Sequence, residues 1–239
     1  VPKVTVTRTR NKIKNIIIFT TRLYMKRLLA FLAIFAIHST THAENMPPAL
    51  KFAADIYTSH ESEDAKKDQL IACHQQHNIY CTAFLGDHYY KYKQYSLAFP
   101  LLQQFLRVSP PEPGNLYRWV YFDLGLMYSK GLGVTKNEEK GVSNYKKSAQ
   151  LYETQAAVNV FYYYYTKSRN RFRATGNSTD EMMIENLQQA YAWLKLAYKI
   201  NQKYHDLPSD SIQIDNVSIP MVEFLDVIKT TLAKVSPQA

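Results

Sequence analysis

The stretch Leu124-Gly125-Leu126-Met127-Tyr128-Ser129-Lys130-Gly131-Leu132-Gly133-Val134 decides the fold. Leu124 and Tyr128 are four apart, which puts them on one face of a helix with a 3.6-residue period. Gly131 and Gly133 supply positions where φ > 0 carries no steric penalty, so the chain reverses tightly after the helix. Val142, Tyr145 and Ala149 follow as a second helical stripe, flanked by Lys140 and Lys147. The segment 124–149 therefore predicts a hairpin of two helices.

A lone hairpin cannot bury its apolar face, so a chain built this way must repeat it. A triplet of a small or apolar residue, an apolar residue and an aromatic residue at i, i+4 and i+8 occurs four times: Ala49-Ala53-Tyr57, Cys81-Leu85-Tyr89, Val120-Leu124-Tyr128 and Ala157-Phe161-Tyr165. The central residues are 32, 39 and 37 apart, a period that belongs to helical-hairpin repeats. A second amphipathic stretch follows each triplet, at 64–73, 96–106, 139–151 and 187–200. Beyond them, 218–234 reads as a capping helix with Ser218 as N-cap and Pro220 in its first turn. A stack of hairpins needs such an end to cover its last apolar face.

The third unit resembles the Sel-one-like repeat, a relative of the tetratricopeptide repeat. It departs from that pattern at Gly141 and Ser148, where the family prefers Ala, and at Asn144, where it prefers an aromatic; these departures are expected to weaken helix packing slightly. The second unit, with Leu85-Gly86, Tyr89, Ala98, Phe105 and Pro110, resembles a tetratricopeptide repeat, and Gln189-Ala190-Tyr191-Ala192-Trp193-Leu194 resembles a Sel-one-like second helix. The resemblance covers about 48–202 and implies an all-α solenoid of about four helix-hairpin repeats at 44–217, closed by a capping helix and tail at 218–239.

The 239 residues hold 29 Lys+Arg and 20 Asp+Glu, but the excess is concentrated at one end. Residues 1–43 carry eight basic residues and no acid, leaving 21 basic against 20 acidic in the remainder. A near-neutral domain does not match the counterion-release binding of nucleic acid, which needs clustered Lys and Arg. Met25-Lys26-Arg27, the apolar run 28–37 and Thr41-His42-Ala43 together have the three-part pattern of a secretory signal peptide at 25–43, with cleavage before Glu44. Residues 1–24 then read as an upstream extension from a mis-assigned start. Ten apolar residues reach only half of the roughly 20 that a bilayer core requires, and no Cys follows the run. The expected product is a periplasmic protein, not a lipoprotein, with no membrane span after signal removal.

Export favours pairing of the two cysteines, Cys73 and Cys81. By the repeat alignment they stand where Ala149 and Ala157 stand, between the second helix of one hairpin and the first of the next. The resemblance to the cysteine-rich Hcp-type branch of the family, in which such a pair recurs between repeats, implies a disulfide. Free thiols, or a zinc site formed with His74 and His77, are the alternatives, although the Cys-x2-Cys spacing of a zinc knuckle is missing.

No Walker loop, dinucleotide fingerprint or nucleophile elbow occurs in the sequence. His60, His88 and His205 fall in different units and read as surface or structural histidines. Metal and cofactor are therefore read as none, and the chain as non-catalytic. Ser143 and Lys146 match Ser-x-x-Lys formally, which keeps a β-lactam-binding or hydrolysing enzyme of the cysteine-rich repeat type as the alternative function. A cell-wall glycan binder is a third possibility, requiring exposed aromatic platforms.

Of the 19 tyrosines, 18 lie after residue 43. Tyr57, Tyr89, Tyr128 and Tyr165 read as repeat packing. By analogy with tetratricopeptide grooves, the concave face maps to Ala83, Asp87, Tyr90, Trp119, Phe122, Leu126, Asn159 and Tyr163, with Trp119 and Phe122 as anchors for a partner. Between Tyr165 and Ala190 the fourth hairpin is twelve residues longer than the third. The insertion reads as a basic loop at 166–180, with Lys167, Arg169, Arg171 and Arg173 facing an acidic protein or anionic lipid. The partner is expected to be another periplasmic protein, an exported toxin neutralised by this chain being one possibility.

Overall fold

Ser62, Asn78, Asn137 and Asp180 stand just ahead of helical stripes, and their side chains accept hydrogen bonds from the backbone N–H groups of Ala65, Tyr80, Lys140 and Met183. Such caps satisfy amides that a helix leaves unpaired and so set where each helix begins. The computed structural model describes residues 46–109, 115–205, 207 and 209–236; the signal peptide read at 25–43 and the extension at 1–24 lie outside the described residues. Eight helices follow in order: α1 (Pro48–Thr58), α2 (Glu63–Gln75), α3 (Ile79–Lys91), α4 (Tyr95–Val108), α5 (Asn115–Lys130), α6 (Glu138–Gln150), α7 (Thr154–Thr175) and α8 (Glu181–Tyr204). They belong to one unit, Pro47–Ala239.

The helices pair as expected: α3 on α4, α5 on α6 and α7 on α8 form the tightest hairpins. The fold is therefore an all-α solenoid of helical hairpins. In the third hairpin the helices approach so closely that a Cβ on Gly125 would come 2.5 Å from the Tyr145 ring. Gly133 sits at φ +67° and its Cβ would meet the Tyr95 backbone at 2.5 Å, so this turn packs against the start of α4 in the preceding hairpin. Tyr128 joins the same two units: its ring meets Phe99 edge-on at 5.3 Å, and Gln103 Nε2 donates to its hydroxyl at 2.9 Å. Tyr57 stacks on Phe84 at 4.8 Å and Tyr165 on Phe161 at 5.6 Å, which places these tyrosines in packing roles.

Cys73 and Cys81 form a disulfide with a Cα–Cα separation of 5.9 Å, tying α2 to α3. Both are buried, as are Ala149 and Ala157 at the equivalent α6–α7 junction. His74 Nδ1 lies 2.8 Å from Thr82 Oγ1. His77 occupies the turn at φ 63°. Among the described residues no group of three or more His, Cys, Asp or Glu is placed to hold a metal ion.

Two expectations are corrected. The capping helix does not begin at Ser218: a two-stranded antiparallel hairpin, β1 (Ser211–Ile214) and β2 (Val217–Pro220), precedes it, and α9 runs over Met221–Val235. Asp215 and Asn216 both take positive φ, as a two-residue turn between twisted strands requires. Ile212 is buried on one face of the hairpin, and Tyr162 Oη accepts a hydrogen bond from the Gln213 N–H at 2.7 Å. α9 covers the fourth hairpin through Phe224, which meets Phe161 and Tyr165 edge-on.

The second correction concerns 166–180, which is not a loop over most of its length. No breaker occurs before Gly176, so α7 continues to Thr175 and Gly176 ends it at φ 64°. The insertion thus lengthens the fourth hairpin to helices of 22 and 24 residues, against 16 and 13 in the third.

Candidate functional site

Helical spacing separates the four basic residues of α7. Lys167 and Arg171 are i, i+4 neighbours on one face, while Arg169 and Arg173 share another. Arg169 reaches the β-turn, with Nη1 2.9 Å from Asp215 Oδ1. Arg171 holds Asp180 through Nε at 3.0 Å and Nη2 at 2.9 Å, and this pairing lowers the Asp180 carboxyl below its ordinary value. Arg173 is exposed on the last turn of α7. The single basic cluster expected of a loop does not form.

Lys167 and Arg171 instead line a groove of about 590 Å³ whose other walls come from α6 and α8. Lys146 of α6 and Tyr164 of α7 form one side, and Met182, Glu185 and Gln189 of α8 the other. Lys146 Nζ donates to Tyr164 Oη at 2.7 Å and lies 5.0 Å from the centre of that ring and 5.7 Å from Trp193. Lys167 Nζ sits 4.5 Å over the Tyr163 ring; its hydrogen bond to Tyr163 raises the ammonium above its ordinary value. Glu139 acts on Lys167 through space. Lys146 is thus engaged by phenol and indole, while Ser143 is an exposed residue on α6.

The residues mapped to the concave face are spread over α3, α5 and α7. Phe122 is corrected: it is 4% exposed and packs on Tyr145 at 5.9 Å, so it belongs to the core and not to a partner surface. Ala83 is fully buried. Asp87 accepts a hydrogen bond from Tyr57, and Tyr90 meets Tyr95 edge-on at 5.5 Å. Leu126 packs against the core, Asn159 accepts from Gln155 Nε2 at 3.2 Å, and Trp119 is half-buried. Tyr163 alone of this set adjoins the groove, through Lys167.

Lys146, Tyr164, Glu185 and Gln189 were not singled out as binding residues from the sequence. The signal that points to them is the twelve-residue excess of the fourth hairpin: a pair of helices longer than its neighbour leaves a step, and the groove lies along it.

Stacked helical hairpins closed by a C-terminal cap define a repeat solenoid, the class of fold that presents extended surfaces to other proteins. More specifically, the Sel1 repeat family matches residues 120–152 and 177–201, so the chain carries Sel1 repeats. These spans take in all of α6 and all but the last three residues of α8, two of the three helices that wall the groove. Sel1 repeats are in general non-catalytic protein-interaction modules. No curated protein matches the chain. Among the described residues no helix is long and apolar enough to cross a membrane.

Proposed function

We propose that this chain is a periplasmic, non-catalytic module that holds another exported protein, with neutralisation of an exported toxin as one form of that work. The observation that carries the reading is the Sel1 solenoid itself, in which side chains of neighbouring hairpins interlock and leave a groove on the longest one. The compartment rests on the leader pattern at 25–43 and agrees with the use of both cysteines in a disulfide, a bond that persists in oxidising surroundings.

Fractionation of the source cell tests the compartment, and N-terminal sequencing tests the leader: the protein should be periplasmic and begin at Glu44. Affinity isolation from a non-reducing periplasmic extract tests the activity and should recover one partner in near-equal amount. An intact leader on a cytosolic protein overturns the compartment; a chain that returns alone overturns the binding role.

A further inference from the structure

We propose that the groove between α6, α7 and α8 seats an acidic, extended peptide segment of the partner, an inference that rests on the protein-binding reading and says which surface does the binding and what chemistry it selects. The groove exists because α7 and α8 outgrow the hairpin before them. Its volume of about 590 Å³ falls within the roughly 300–1,000 Å³ of ligand sites.

Of the three cations that line it, Arg171 is paired with Asp180, whereas Lys146 and Lys167 lie on tyrosines, as Lys140, Lys147, Lys195 and Lys203 do elsewhere; what sets Lys146 and Lys167 apart is that both line one groove. Lys51, Lys66, Lys67, Lys91 and Lys136 each sit within 3.1 Å of a carboxylate oxygen. Lys146 and Lys167 are instead positioned by tyrosines, Tyr164 and Tyr163. A phenol fixes an ammonium in place without neutralising it, so both charges stay directed at the groove and are already ordered. An arriving carboxylate gains their attraction without displacing an anion from them and with less side-chain entropy left to lose.

Nearby acids limit the charge without cancelling it. Asp180 is committed to Arg171, Glu139 acts on Lys167 from α6, and Glu185 is the carboxylate that lines the groove itself. The amides of Asn170 and Gln189 offer paired donors and acceptors of the kind an extended backbone uses, and Met182, 58% exposed, offers an apolar wall. Lys167, Asn170 and Met182 are exposed, so an extended segment reaches them directly from solvent.

The test uses a fluorescein-labelled octapeptide alternating Glu with Leu, its counterpart with Gln in place of Glu, and phosphatidylglycerol vesicles, each titrated against the disulfide-bonded protein. The acidic peptide should bind in preference to its Gln counterpart. Binding should weaken at least about fivefold in Lys146→Met/Lys167→Met, where the methionines keep the aliphatic packing. It should tighten in Glu185→Gln, a change that removes the groove's own carboxylate and guards against loss of binding through misfolding. Lys195→Met/Lys199→Met, which alters net charge equally on α8, should leave it unchanged. Equal affinity for both peptides, equal loss in the Lys195/Lys199 control, binding to vesicles alone, or no binding overturns the proposal. The two readings fail separately: if Lys146→Met/Lys167→Met still co-isolates the partner, the groove assignment falls and the protein-binding module stands.

Discussion

Gly141 lies against Ser129: a Cβ at Gly141 would come 2.0 Å from Ser129 Oγ and 3.1 Å from the Gly125 carbonyl oxygen. The crossing of α5 and α6 is therefore fitted around a missing side chain, and the Ser129 hydroxyl that fills the space also bonds to Tyr145. Alanine at Gly141 would gain about 1 kcal/mol of helix propensity. Overpacking of this kind costs about 1–3 kcal/mol and outweighs it. Gly141→Ala should thus destabilise the protein in denaturant unfolding. Ser129→Ala removes the nearest clashing atom, so the double variant should be more stable than the sum of the single effects allows. Gly141 is thus more than a weak helix former: its missing side chain leaves the space that Ser129 fills at the crossing.

The disulfide can be replaced by what the fold uses elsewhere. Cys73 and Cys81 occupy the places that Ala149 and Ala157 fill one junction further on, all four at most 3% exposed. Cys73→Ala/Cys81→Ala should fold to the same helical content and lose about 2–3 kcal/mol, the value for closing so short a loop. Thermal unfolding under non-reducing conditions measures the loss. Failure of the variant to fold at all would contradict the equivalence of the two junctions.

Tyr162 Oη accepts a hydrogen bond from the Gln213 N–H and so anchors β1 to α7. Tyr162→Phe leaves that amide without its acceptor, at a net loss of about 1 kcal/mol. Hydrogen exchange at Gln213 should quicken about fivefold, while amides inside α7 should be unaffected. Equal quickening throughout α7 would mean that Tyr162 supports the core and not the hairpin.

Acid should loosen the junction of α2 and α3. Partial burial pushes the Glu63 carboxyl up, but hydrogen bonds from Lys91, Lys66 and Tyr92 outweigh it and bring the group from 4.5 down to about 2. A carboxyl depressed in the folded state contributes stability that is present above pH 4.5 and is lost as pH falls toward 2. Buried His88, whose Nδ1 lies 3.9 Å from Glu63, is pushed below its ordinary 6.5 by desolvation, so its own contribution begins to fall away below that pH. Glu63→Gln should flatten the drop in unfolding midpoint between about pH 5 and pH 2. An unchanged slope would remove Glu63 from the account of acid stability.

The helices were legible because Leu85, Leu124 and Phe161 recur in register with their aromatic partners, and every second stripe read from the sequence lies within α2, α4, α6 or α8 apart from Leu151, the C-cap of α6. The β-hairpin was missed although its signal is present: Ile212 and Ile214 alternate with polar residues around Asp215-Asn216. Four-residue strands are too short to outweigh a helical context, and it is docking on Tyr162 and the core that fixes them. A count of extra residues alone suggests a basic loop, yet 166–175 contains neither Gly nor Pro and stays helical. Analogy with tetratricopeptide grooves puts Phe122 on the concave face, whereas the α5–α6 crossing turns it onto Tyr145. The groove escaped notice because it arises from a difference in length between two hairpins and not from any motif.

The most direct test of a protein-binding role is site-specific photo-cross-linking in the source cell, with benzoylphenylalanine at Asn170 in the groove and, for comparison, at exposed Lys199 on α8. Position 170 should give one discrete adduct with a second protein, diminished by Lys146→Met/Lys167→Met, and position 199 none. No protein adduct from either position, or adducts with phospholipid alone, would contradict that role.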